Sequence, residues 1–172
     1  MLNLLNKKYY KVKNIETIQS DAQSYNFKKG SFEIVFSRFG LMFFDNPYLA
    51  FTNIYKSLKR KGILSFVCWT DFRYNDFFSI HTEMLKSVTG LKKKRLNKKP
   101  GSFSFNNKKY IYDILLKSNF SKVKIKTIRT KMIADNINTD VEIFMNIGIV
   151  AKIMKDNNIA IEVKKKIKKK LK

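Results

Sequence analysis

The chain has 172 residues with 44% hydrophobic and 14% aromatic content, which is one domain's length with enough apolar side chains for a core and excludes disorder throughout. Lys and Arg number 36 against 13 Asp and Glu, a formal net charge of +23, and such a surplus brings nucleic acid and anionic membrane into view, because clustered cations neutralise phosphates and release counterions. A single cysteine, Cys68, and a single histidine, His81, exclude an intramolecular disulfide, a thiolate zinc cluster and a His-rich metal site.

The surplus of charge has a second explanation. Lys, Asn, Ile, Phe and Tyr make up roughly half of the chain, far above ordinary usage, and all five have A/T-rich codons, so an A/T-rich genome produces the same composition without a polyanion partner. The lone cysteine suits a reducing cytoplasm, where we expect the protein. Met1-Leu2-Asn3-Leu4-Leu5 is too short, and too soon followed by Lys7 and Lys8, for a signal peptide. No stretch reaches the roughly 18 uninterrupted apolar residues that suggest a membrane span.

In chain order, Leu2, Leu4, Leu5, Tyr9 and Val12 predict a helical face over residues 1–12, broken at Asn14. Ile15 to Gln19 alternate as a short strand, and Ser20-Asp21-Ala22-Gln23 follows as a polar loop. After the Lys29-Gly30 turn, Phe32 to Phe36 is apolar on both faces, as in a strand covered by helices on both sides. Ser37, Arg38 and Gly40 end this strand with polar groups and a change of direction, where ligands sit in an open α/β sheet. Asp45 or Asn46 then caps a helix from Pro47 to about Lys59, closed by Gly62. Ile63 to Trp69 is a second apolar strand, so strand, helix and strand form a βαβ unit with parallel strands.

Residues 76–89 predict another helix, and Lys92 to Lys99 a basic loop. Asn106 or Asn107 caps a helix through Ser118, Val123 to Met132 alternate as a strand, and residues 139–154, capped by Thr139 or Asp140, read as one helix. From Ile159 onward Val163, Ile167 and Leu171 stand four apart among lysines, a thin apolar stripe on a basic helix. We expect an α/β domain over residues 1–135 and C-terminal helices with a basic tail over 136–172.

Several stretches together resemble the class I S-adenosylmethionine-dependent methyltransferases, in particular their small-molecule type 11/12 group. They are Ser20-Asp21-Ala22-Gln23 after a strand, Ser37-Arg38-Phe39-Gly40-Leu41-Met42-Phe43-Phe44, and Asp45-Asn46-Pro47. Leu58-Lys59-Arg60-Lys61-Gly62 follows where the family usually reads Leu-Arg-Pro-Gly-Gly, then Phe66-Val67-Cys68-Trp69, Pro100-Gly101-Ser102-Phe103-Ser104-Phe105 and Ser118-Asn119-Phe120. The resemblance implies a partial Rossmann-like sheet made of the family's third to sixth strands and flanked by helices. It also implies S-adenosyl-L-methionine as cofactor and methyl transfer to a small-molecule acceptor. Asp21 and Ala22 map onto the positions that hold the adenine amino group and a ring nitrogen; Ser37, Arg38 and Phe39 map onto those that line the methionine part.

The family's glycine-rich turn and the acidic residue that holds the ribose hydroxyls have no counterpart in this sequence, nor has the last antiparallel strand. The expectation is a domain truncated at both ends, with weak cofactor binding by this chain alone. A missing N-terminal half on another chain would complete it, and direct pairing of Ile15–Gln19 with Phe32–Phe36 is the simplest way to cover the orphaned strand edge. No catalytic residue is identified, since in-line methyl transfer needs position rather than a nucleophile. His81 is a conceivable general base, and Trp69 and Tyr74 conceivable pocket walls. Two other readings stand beside the enzyme: a protein that binds nucleic acid or anionic membrane through Lys92–Lys99 and the tail from Lys164 to Lys172, and an inactive fragment of a split or decayed gene.

Overall fold

The computed structural model describes residues 2–90, 100–133, 135–159, 163, 166, 167 and 169. Its elements are α1 (Leu2–Tyr9), β1 (Phe32–Arg38), α2 (Pro47–Ser57), β2 (Leu58–Val67), α3 (Asp76–Thr89), α4 (Lys108–Lys117), α5 (Ile137–Asn146) and α6 (Gly148–Asp156). Two short 3-10 turns, Leu41–Phe43 and Phe72–Tyr74, follow the strands. The basic loop Lys92–Lys99 lies outside the described residues.

The βαβ unit forms as expected. Pro47 opens α2 at its first turn, and the Asn46 side chain accepts the Leu49 N–H at 3.1 Å, so the cap and the fixed proline backbone start the helix together. Phe51 and Ile54 on α2 are buried against Ile111, Ile114 and Leu115 of α4 and against Leu41, Met42 and Phe105, and Ala50 beside them is also buried. Val35 of β1 and Leu64 and Phe66 of β2 point into this first core. β1 and β2 run parallel, with Ile34 opposite Ile63 and Arg38 opposite Val67. Tyr48 at the start of α2 donates its hydroxyl to Asp113 Oδ2 at 2.6 Å and ties α2 to α4.

The expectation of a sheet covered on both sides is corrected. Ile34, Phe36, Ile63 and Val67 share the face turned away from the first core and are 62%, 65%, 58% and 44% exposed. Covering such a side chain is worth on the order of 1.5–3 kcal/mol, so this face is under-used by the described residues.

Two expected strands are also corrected. Among the described residues the sheet holds β1 and β2 alone, and neither Ile15–Gln19 nor Val123–Met132 joins it. Ile15 N–H turns back to the Val12 carbonyl at 3.4 Å and Thr17 donates its hydroxyl to Asn6 Oδ1 at 2.8 Å, so this segment follows α1 instead of pairing with Phe32–Phe36. Val123 and Ile125 lean on the first core, whereas Ile128 and Met132 are exposed. Alternation decides which side chains point inward, but a strand also needs a neighbour's donors and acceptors. The fold class nonetheless holds: a small parallel sheet flanked by helices.

The helix end also differs from expectation. Gly62 does not close α2; Leu58 begins β2 directly, and a bulge sets the five-residue step from Leu58 to Ile63 against the two-residue step from Phe32 to Ile34. Within it Lys61 has φ 68°, a left-handed backbone, at the position where the family usually has glycine. A Cβ on Gly62 would lie 2.9 Å from the Lys59 carbonyl oxygen, so the next position needs glycine for space.

A second core joins α3 to the C-terminal helices through Leu85, Val141, Phe144 and Val150. The single helix expected over 139–154 is two. Asn136 caps the first by accepting the Thr139 N–H at 3.0 Å, and Gly148 breaks the run at φ 79°, with a ring atom of Phe78 3.3 Å from where its Cβ would be. Val163 and the fully buried Ile167 close this core, so these two residues of the apolar stripe face inward; Leu171 lies outside the described residues.

Lys61→Gly removes the left-handed strain of a side-chain-bearing residue, and we expect stabilisation of about 1 kcal/mol in urea unfolding; a loss of stability would contradict the bulge. A second prediction concerns Asp113, whose carboxyl is held below its ordinary value of 3.8 by the Tyr48 hydroxyl and then by Lys117. A carboxyl depressed on folding adds stability above its unfolded pKa and loses it as pH falls through the folded one. The gap in urea midpoint between wild type and Tyr48→Phe should therefore be present at neutral pH and shrink below about pH 4; a gap that does not change with pH contradicts the contact.

Candidate functional site

In a parallel sheet the strand ends that follow the chain direction face the ligand-binding crevice. At that end of β1, Ser37 is half-buried and Arg38 is exposed. Among the described residues the Ser37 hydroxyl makes no hydrogen bond and Arg38 no ion pair. Gly40 approaches Ser37 closely, and a Cβ on it would lie 3.0 Å from Ser37 Oγ.

Phe39 leaves the strand at φ 57°, while its N–H still donates to the Val67 carbonyl at 2.9 Å. Left-handed backbone at an aromatic residue costs on the order of 1–3 kcal/mol and marks a position fixed by its surroundings. Those surroundings are on β2's side: the Phe39 ring stacks on Trp69 with centroids 4.2 Å apart and planes 11° apart, and Trp69 meets Phe78 edge-on at 4.9 Å. The ring of Phe39 thus joins the two strand ends, leaving Ser37 and Arg38 as the polar groups at the end of β1.

Asp21 and Ala22 lie in a turn whose carbonyl and side-chain bonds fix its shape. The Asp21 carbonyl accepts from Ser24 and Tyr25, and its Oδ1 accepts the Gln23 N–H at 2.9 Å. Asp21 is exposed, its second carboxylate oxygen has no hydrogen bond among the described residues, and neither has the Ala22 N–H. The turn therefore presents a free acceptor beside a free donor.

Two side chains hold this turn near β1's end. Gln23 Oε1 accepts the N–H of Asn46, the cap of α2, at 2.8 Å; Asn53 Nδ2 donates to the carbonyls of Ala22 at 3.0 Å and Tyr25 at 2.8 Å. The five expected residues thus fall on one turn and at the end of β1, joined through α2, and among the described residues no hydrogen bond links Asp21 or Ala22 to Ser37, Arg38 or Phe39. Asn53 is the residue that sequence reasoning missed. Its signal was present: an amide two positions after the buried Phe51 and one before the buried Ile54, on a helix side where a polar group needs a partner.

His81 is not part of this arrangement. It is buried in the second core, its Nε2 2.8 Å from Asp140 Oδ2, its Nδ1 against the Phe77 carbonyl, and its ring stacked on Phe144 at 4.2 Å. The histidine ties α3 to α5 and is enclosed, which removes it as a general base. Tyr74 is exposed, with Arg73 over its ring, and forms no pocket wall with Trp69 among these contacts. Burial pushes the Cys68 thiol up to about 11, so it stays protonated at neutral pH and is no nucleophile. Among the described residues no group of acidic, histidine or cysteine side chains is placed to hold a metal. No helix among them is long and apolar enough to cross a membrane.

Residues 1–66, from α1 through most of β2, match the family model described as a methyltransferase domain. Neither the curated proteins nor the solved structures yield a match. The matched segment includes both loops of the candidate site and the parallel pair that carries them, and over residues 1–66 the chain is similar to a methyltransferase domain.

Proposed function

We propose that the two loops form the adenine and methionine sides of an S-adenosyl-L-methionine site used to methylate a small-molecule acceptor. The observation that carries this reading is the turn at Asp21 and Ala22. Its free carboxylate oxygen can accept from an exocyclic amine and its free N–H can donate to a ring nitrogen, the complement of an adenine edge, and Gln23 and Asn53 lock it to the helix that follows β1. Ser37 and Arg38 then face the amino-acid end, where a hydroxyl and a guanidinium suit an ammonium and a carboxylate.

When bound, the cofactor supplies an electrophilic methyl group on a sulfonium. The role of this chain is orientation, worth many orders of magnitude for an in-line transfer. The half-buried, protonated Cys68 and the enclosed His81 leave the protein without a candidate nucleophile or base among those two, which fits such a reaction.

The residues fit one half of the cofactor. No glycine-rich turn is encoded in these 172 residues and the resemblance assigns none of them to the ribose hydroxyls, and we infer that both come from further polypeptide lying along the open edge and over the open face of the sheet. The exposed Ile34, Phe36, Ile63 and Val67 support that reading, with residues 136–172 as a helical extension to a domain over 1–135. Calorimetry of this chain with S-adenosylmethionine should then show weak or no binding, and micromolar affinity would show that the turn is dispensable. Fusing a methyltransferase glycine-rich strand–turn–helix ahead of Leu2 should raise affinity, and Asp21→Asn in that fusion should weaken it about tenfold, or about 1.4 kcal/mol. A fusion whose affinity is indifferent to Asp21 contradicts the assignment of the turn.

A further inference from the structure

The opposite end of the sheet, where the strands begin, concentrates cations by construction. The turn carrying Lys28 and Lys29 is bonded to the end of α2: the Gly30 N–H donates to the Lys56 carbonyl at 3.0 Å and the Ser31 N–H to the Ser57 carbonyl at 2.9 Å. The bulge of β2 then lifts Lys59, Arg60 and Lys61 out of the ladder beside that turn, all three exposed. Lys59 pairs with Glu33; among the described residues the other five of these six cations form no ion pair. Lys61 holds its place in a left-handed backbone that a glycine would adopt without strain.

Two aromatic residues lie near these cations in sequence or register. Phe32, opposite Leu58 at the base of the bulge, is 40% exposed, and Tyr55, near the end of α2, is 41% exposed. Each is braced by an edge-to-face contact, Phe32 with Phe27 at 6.1 Å and Tyr55 with Phe120 at 5.3 Å. A braced ring is a plate on which a base can stack, not a wedge free to insert into lipid.

We propose that this end of the molecule binds single-stranded nucleic acid. The cations neutralise successive phosphates and the rings stack bases, the pairing of groove charge and aromatic plates that such binding uses without sequence preference. The surface lies at the end of the strands remote from Ser37 and Arg38, so it neither requires the methyltransferase reading nor competes with it.

The test is fluorescence anisotropy of a labelled oligouridylate on the full chain. Lys29→Gln, Arg60→Gln and Lys61→Gly are combined in one variant, and Lys108→Gln, Lys131→Gln and Lys155→Gln in a control that removes the same number of charges elsewhere. Lys61→Gly relieves strain, so the first variant keeps its fold, which circular dichroism checks. We expect the first variant to bind about tenfold more weakly or worse and to flatten the slope of log affinity against log salt by about 2, three contacts at about 0.7 each. The control should change affinity less than about twofold. Equal losses in both variants would assign the affinity to overall charge, and no measurable binding by the wild type would remove the surface; either overturns the proposal. So does tighter wild-type binding to phosphatidylserine vesicles than to the oligonucleotide, lost in the first variant, which would make the surface a membrane contact.

Discussion

The structure depends on one parallel ladder, β1 against β2, covered on one face. Its inner side chains, Val35, Leu64 and Phe66, meet α2 and α4 across a core of phenylalanines and leucines, and this packing fixes where the loops after the strands go. The outer side chains are equally apolar and remain exposed. A two-stranded sheet is marginal alone, and the ladder and the α2–α4 core, with the Tyr48–Asp113 bond across it, support each other.

Much of this was legible in the residues. The run Phe32–Phe44, the Asn46-Pro47 start and the strand after Gly62 specified a βαβ unit, because a cap, a proline and apolar strands leave little choice of state. Asp21 and Ala22 were singled out through their matching neighbours, and the structure shows that they lie in a turn. What the residues did not disclose is long-range. Ile15–Gln19 and Val123–Met132 alternate like strands, but alternation carries no information about whether a neighbouring strand is present to bond with. The bulge at Lys59–Lys61 was hidden for a similar reason: its left-handed residue is a lysine, where a glycine would have announced the turn.

The two ends of the ladder have separate chemistries. After the strands, Phe39 and Trp69 close the gap between β1 and β2, and the Gln23 and Asn53 bonds bring the Asp21 turn alongside. Before the strands lie the cations of the bulge. The second core, with the His81–Asp140 pair and Ile167, supports the first from the side of α3 and holds part of the apolar stripe that a basic amphipathic tail would otherwise offer to a membrane surface. This distribution puts the residues matched to the methyltransferase family in the unit that carries the candidate site.

The central claim is that β1 has one bonded edge and one open edge. Residue-resolved amide hydrogen exchange along Phe32–Arg38 tests it directly. Successive amides of a strand point to opposite edges, so those turned to β2 should be protected and the alternate ones should exchange as solvent-exposed amides do. Uniform protection along β1 would mean that another strand covers the edge, and would contradict the account of a sheet open on that side.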